Sequence, residues 1–199
     1  MYDQYEALIF DMDGTLVDSG QLHEFAWTAT LTRYELPIDR AYMRSLAGVP
    51  TKGTLELVMQ RFDCLPCASL DEMNDFKENW VHENMHRFVR PTALAEVVKQ
   101  YHGKRPMAVG TGAYTEEATR ILTLCGLASY MDVIVGADQV KNPKPAPDTF
   151  LYCAQRMGAN PARCIVFEDA PLGLLAAERA GIPAIDVHQV LNISNDYFL

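Results

Sequence analysis

The chain lacks several features that would each have marked a class of protein. No stretch approaches the ~18 apolar residues needed to span a membrane. The opening MYDQYEALIFDMDG has neither the basic start nor the long apolar run of a secretion signal. Both absences predict a protein that sits in no membrane and is not exported, so the expected location is cytoplasmic. Positive charge is scarce: 17 lysines and arginines face 26 acidic residues, for a net charge of -9. Without a basic tract to hold a phosphate backbone, nucleic acid is excluded as an expected partner. Cysteines are few and odd in number (Cys64, Cys67, Cys125, Cys153, Cys164), which predicts reduced thiols rather than a disulfide framework. Cys64 and Cys67 form a CxxC, but no second CxxC completes a zinc site and no strand precedes it as in a redox motif. The other three lie among apolar residues and read as core fillers. No internal repeat, low-complexity tract or long flexible linker interrupts the 199 residues, which suffice for one domain carrying a smaller insertion.

What is present is a regular alternation. From Pro91 onward, helical patterns (TALAEVVKQY, EEATRILTLCG, DTFLYCAQRMG, LGLLAAERAG) alternate with short apolar runs (PMAVG, MDVIVG, RCIVFED, PAIDV). Repeated βα units predict a parallel sheet with helices on both faces. Gly103, Gly126, Gly158 and Gly181 stand where a left-handed residue closes each helix. The run EALIFD at 6–11 reads as a further buried strand. Between it and Pro91 the patterns are helical, at about 20–35, 39–46, 51–61 and 69–88. The expected fold class is therefore α/β, a doubly wound, Rossmann-like parallel sheet with an inserted helical unit. The boundaries place the core at 1–16 and 89–199 and the helical insertion at 17–88.

In such a sheet, ligands sit beyond the carboxyl ends of the strands. The loops predicted there read DMDGT, GTGAY, VKNPKPAPD and EDAPLG. Asp11 and Asp13 bracket one residue at a strand end, and two carboxylates that close repel unless a cation or a proton intervenes. Glu168 and Asp169 form a second acidic pair at another strand end, although a lone Asp169 would be explained as a helix cap. Together they make an oxygen-rich pocket of the kind that suits Mg²⁺. Thr111, between Gly110 and Gly112, offers a hydroxyl and backbone N–H groups to phosphate oxygens. Lys144 stands in a loop stiffened by Pro143, Pro145 and Pro147, though chemistry alone does not separate it from Lys141.

One motif points elsewhere. HENMH, at 82–86, has two histidines four apart beside a glutamate, the spacing of a zinc protease helix. Of the other histidines downstream, His102 and His188, neither stands in an obvious ligand context, so HENMH reads as a solvated helix face.

Taken in order, IFDMDGT, the threonine of VGTGA, KPAPD and FEDAPLGLLAAERAG resemble the four motifs of the haloacid dehalogenase-like hydrolases, and the insertion resembles their helical cap. The resemblance implies Asp11 as nucleophile, forming an aspartyl-phosphate, and Asp13 as general acid and base. It implies Thr111, Gly112 and Lys144 as the phosphate site. Mg²⁺ is implied with Asp11, Asp13 and Asp169 as ligands and Glu168 in or next to the ligand set. True dehalogenases of the superfamily lack the second aspartate, so Asp13 favours phosphotransfer. VDSGQLHEFAW resembles the first cap segment of the β-phosphoglucomutase and sugar phosphatase branch, which implies substrate contacts from His23 and Trp27. Where β-phosphoglucomutases carry an arginine for a second phosphate, LAGVPTKG has Thr51, which favours a phosphatase over a mutase. The expected enzyme is a monomeric, Mg²⁺-dependent phosphatase of small phosphosugars, with fructose 1-phosphate as the preferred substrate. A receiver-like phosphate-binding module would use similar residues, but such domains have no helical insertion after the first strand and carry the phosphorylated aspartate on a later one.

Overall fold

A computed structural model describes residues 1–199. Five strands form one parallel sheet: β1 (Ala7–Phe10), β4 (Met107–Gly110), β5 (Val133–Val135), β6 (Cys164–Glu168) and β7 (Ala184–Asp186), in the spatial order β5-β4-β1-β6-β7. Every residue of β1, β4 and β6 is buried. That burial explains the continuous apolar runs, since a parallel strand covered on both faces has no solvent side to alternate toward. The two-residue period is visible instead in which core each side chain enters. Leu8 and Phe10 join one cluster with Met107, Val109 and Phe167, while Ala7 and Ile9 join the other with Ala108, Val166 and Phe150. Helices α5 (Leu94–Tyr101) and α6 (Thr115–Leu124) cover the first face, and α7 (Asp148–Arg156) and α8 (Pro171–Arg179) cover the second. A short α9 (Val187–Leu191) follows the last strand. The four glycines expected to close helices all have φ between +65° and +70°.

The insertion comprises α1 (Gly20–Arg33), α2 (Arg40–Ser45), α3 (Thr51–Phe62) and α4 (Leu70–Phe88), close to the four patterns read from the sequence. The Ser69 side chain accepts from the Glu72 N–H and starts α4, and Asp39 does the same for α2 through Tyr42. Trp27, Leu31, Met43, Leu55 and Met73 form a separate hydrophobic cluster here. The inner faces of α1 and α4 instead join the main core through Leu22, Ala26, Val81 and Met85, so the insertion is packed down on the sheet. One feature differs from expectation: a two-residue antiparallel ladder, β2 (Val17–Asp18) against β3 (Arg90–Pro91), closes the base of the insertion. Two residues carry no readable period, so no strand is legible there in the sequence.

All five cysteines are free thiols. Cys153 and Cys164 are buried, and burial pushes the Cys153 thiol up to about 12, where it is inert. No helix is long and apolar enough to cross a membrane.

Candidate active site

Strand β1 lies between β4 and β6, where the chain reverses its direction across the sheet. The loops after these three strands splay around one crevice. Asp11 follows β1, Thr111 follows β4, and Glu168 ends β6 with Asp169 beyond it. All four line a cleft of about 710 Å³, counting its opening to solvent, within the usual range for a small-molecule site. Residues of the insertion supply the facing wall.

The Lys144 ammonium lies beneath the carboxylates, 2.6 Å from Asp11 Oδ1 and 2.7 Å from Glu168 Oε2, and is 2% exposed. It also stacks over the Phe150 ring at 4.6 Å. Lysine 141 is the exposed one, so the structure separates the pair that chemistry could not. Lys144 is aimed at the two acids and does not line the cleft. Glu168 is further fixed through Oε1, which accepts from the Asp169 and Ala170 N–H groups. Gly173 leaves room for it: a Cβ there would stand 1.9 Å from Glu168 Oε2.

Asp11, Glu168 and Asp169 each present an oxygen, all within 4.8 Å of one another. Burial, with Glu168 close by, pushes the Asp11 carboxyl well up despite Lys144. Burial and Glu168 push Asp169 up to about 6. Three acids sharing one lysine are a charge imbalance that a divalent cation would relieve, and an all-oxygen donor set suits Mg²⁺. The Asp13 carboxylate is not one of these three. Its Oδ1 accepts from Ser19 at 2.6 Å and lies 3.0 Å from His23 Nε2, so its carboxylate is held by α1 and stands outside the three-acid cluster. Burial would raise Asp13, but His23 and the Ser19 hydroxyl hold it below the ordinary carboxylate range.

A pH dependence follows from Asp11 and Asp169. A carboxyl raised in the fold binds a proton that the unfolded chain has released, so metal-free stability falls as pH rises from about 4 through 6. A divalent cation held by these carboxylates would have to displace those protons. Thermal unfolding is expected to show a larger Mg²⁺-induced rise in Tm near pH 7 than near pH 5. An equal rise at both would contradict the assignment.

Thr111 and Gly112 both face the cleft. Thr111 is buried and its Oγ1 accepts from the Ala113 N–H. A Cβ at Gly112 would lie 2.5 Å from the Gly48 carbonyl oxygen of the insertion, so the close approach of the two walls here requires glycine. His23 and Trp27, one turn apart on α1, both line the cleft. His23 is engaged by Asp13, while Trp27 is 4% exposed, with the Lys77 ammonium 5.8 Å from its ring centroid.

HENMH lies on the last turns of α4 with His82, Glu83 and His86 exposed, and the one group able to hold a metal is the three-acid cluster. Substituting alanine for His82 and His86 together is expected to leave turnover unchanged; a loss of activity on doing so would reopen the zinc reading.

Residues 5–181 match the haloacid dehalogenase-like hydrolase family. The chain belongs to that family. It is 44% identical to the fructose-1-phosphate phosphatase YqaB of Escherichia coli (strain K12), over 94% of this chain and 98% of that protein. It is 33% identical to the phosphorylated carbohydrates phosphatase of Thermotoga maritima, over 96% of this chain and 88% of that one. A β-phosphoglucomutase from Clostridium difficile superposes with a TM-score of 0.83, covering 96% of this chain and 88% of its own; at 24% identity this shows the fold alone. In this family member three of the four motifs stand at strand ends of the crevice, and the one with Lys144 lies in the long loop after β5. The sequence reading missed a second charged group in the cleft. Lys77 of α4 and Glu117 of α6 are both buried and line it, with Glu78 beside them. Burial and Glu78 push Glu117 well up, whereas Lys77 holds Glu78 down at about 2 in spite of its burial. In sequence FKENW and TEEAT look like ordinary solvated helix faces, and only the fold turns them inward. Asn195 and Tyr197, from a tail without any periodic pattern, also reach the cleft.

Proposed function

We propose that this hydrolase is a Mg²⁺-dependent phosphatase of small phosphosugars, with fructose 1-phosphate as its preferred substrate, and that residues 17–88 form a cap over a core of residues 1–16 and 89–199. The observation that carries the reading is Asp11: a buried carboxylate at the end of the central strand, facing the cleft and held from below by Lys144. The 44% identity to a fructose-1-phosphate phosphatase over nearly the whole chain supports the substrate.

In this reading Asp11 attacks phosphorus and forms an aspartyl-phosphate while the bond from phosphorus to the sugar oxygen breaks. Asp13, ionised in the substrate-free site, must take up a proton as the phosphate binds; it gives that proton to the departing alkoxide, then takes one from the water that hydrolyses the intermediate. Its carboxylate stands beside His23 and Ser19, on the cap side of the site, where a leaving sugar would lie. Asp11, Asp13 and Asp169, with Glu168 in or next to the set, would hold Mg²⁺, which would supply positive charge against the phosphoryl oxygens. Thr111 and the Gly112 backbone receive those oxygens, and Lys144 orients Asp11 and favours its ionised form. The cap, through His23 and Trp27, selects the sugar and excludes water.

A mutase would need a cation for a second phosphate. Thr51 occupies that place, is buried and donates to Glu78, while the adjacent Lys52 pairs with Asp71 at the surface. The test is phosphate release from a panel of sugar phosphates with Mg²⁺ and with EDTA. Mg²⁺-dependent release, greatest on fructose 1-phosphate, is expected. Release favouring a different phosphate would overturn the substrate, and isomerisation of β-glucose 1-phosphate without net release would overturn the reaction class.

A further inference from the structure

The C-terminal residues cross from the sheet to the insertion directly over the metal-ligand cluster. The family match ends at residue 181, so this crossing lies outside it. At one end the tail is fastened to the sheet layer: Ile193 is buried in the main core, its N–H donates to Val187 O, and its carbonyl lies 3.0 Å from His188 Nδ1. At the other end Tyr197 and Phe198 are buried in the hydrophobic cluster of the insertion. There Arg44 of α2 donates to the carbonyls of Tyr197 (2.9 Å) and Asn195 (3.4 Å), and the Phe198 N–H donates to Glu24 of α1 (2.8 Å).

Between the two anchors stands Asn195. Its Oδ1 accepts from the Tyr197 N–H at 3.0 Å, and its Nδ2 donates to Asp169 Oδ2 at 2.8 Å. The amide cannot be turned over, because a backbone N–H only donates; the carbonyl oxygen must face Tyr197 and the NH₂ must face Asp169. Thr15 donates to the other Asp169 oxygen at 2.9 Å. Each oxygen keeps a lone pair for a metal, and the carboxylate plane is fixed from both sides. The approach is close enough to require glycine at its crossing with α1. A Cβ on Gly20 would lie 2.6 Å from Asn195 Oδ1 and 2.9 Å from the Tyr197 backbone nitrogen, which no side-chain rotation relieves.

We infer that the tail from Ile193 to Phe198 is a strap that ties the position of the insertion to the orientation of Asp169, with Asn195 as the positioning residue. This rests on the reading of Asp169 as a Mg²⁺ ligand. When the insertion lies closed, Arg44 and the buried Tyr197 and Phe198 hold Asn195 against the carboxylate; when it swings away, the strap carries Asn195 with it. The ligand set is then complete only under a closed cap.

The test is calorimetric titration of the substrate-free protein with Mg²⁺, with thermal unfolding of each variant as a check on folding. Replacing Asn195 with alanine is expected to weaken Mg²⁺ binding by ~10-fold, the usual loss on removing a partner of a metal ligand. Arg44→Ala, which touches neither Asp169 nor the cleft, should weaken it in the same direction. Asp169→Asn should abolish it. Wild-type Mg²⁺ affinity in Asn195→Ala, with binding lost in Asp169→Asn, would overturn the strap while leaving the metal site standing. Weakening in Asn195→Ala but not in Arg44→Ala would overturn the coupling to the insertion. Retained binding in Asp169→Asn would bring down the metal assignment and this inference with it.

Discussion

Replacing Asp11 with asparagine is expected to reduce turnover by roughly 10⁴-fold or more, the scale of loss on removing a nucleophile from a cooperating set. The same substitution should leave metal-free thermal stability unchanged or raised. Asparagine keeps the shape and can still accept from Lys144, which retains its bond to Glu168. What disappears is a carboxyl group buried beside two others, whose ionised form the fold disfavours. Because burial and Glu168 raise the Asp11 carboxyl, its ionisation opposes folding at neutral pH, and stability is lost as pH climbs above about 4, the unfolded value. The combination separates this account from a structural one. Kinetics and unfolding of Asp11→Asn measured side by side, without metal, would contradict it if activity survived or if the fold collapsed.

Lys144→Ala is expected to have the opposite profile, failing in stability as well as activity. The ammonium is the only cation bonded within the three-acid cluster, and its removal leaves Asp11 and Glu168 buried without a partner. Losing one member of a buried charge set costs about 3–5 kcal/mol. In a chain of this size that is a fall in metal-free Tm of roughly 10 °C. The two acids raise the lysine above its ordinary value, outweighing burial, so its stabilisation is present throughout the neutral range and is lost only as pH rises past about 10.5. Mg²⁺ should restore part of the lost stability by taking over the neutralising role, without restoring turnover, because nothing then orients Asp11. Thermal unfolding of the variant with and without Mg²⁺ checks this; a Tm within a degree or two of wild type in the absence of metal would show that Lys144 does not hold the cluster together.

The parts legible in the sequence were those with local signals. Buried strands announce themselves as apolar runs and the helices as three-to-four spacings closed by glycine, so the five-stranded core and the four inserted helices were read within a few residues. Asp11, Thr111, Glu168 and Asp169 were candidates because each stands beside strand or turn punctuation that places it at one end of the sheet, whereas only the family resemblance separated Lys144 from Lys141. The site residues that were missed depend on contacts between distant segments. Lys77, Glu78 and Glu117 come from helices α4 and α6, and nothing in either helix's own pattern shows that they meet. Asn195 sits in NISNDYFL, a tail with no period at all, and its role depends on being 26 residues from Asp169 in sequence yet 2.8 Å away in space. Asp13 shows the same limit at shorter range: DxD spacing suggests two carboxylates on one side, but the strand ends at Phe10 and Ser19 and His23 draw Asp13 toward the insertion.

The most direct measurement is to trap the covalent intermediate. Fructose 1-phosphate carrying a radiolabelled phosphoryl group is mixed with the wild-type protein and Mg²⁺, the reaction is quenched with acid during turnover, and the digested chain is mapped. Label is expected on the peptide that contains Asp11, absent when EDTA replaces Mg²⁺ and absent in Asp11→Asn. Rapid turnover with no labelled peptide, or label on any other residue, would contradict it.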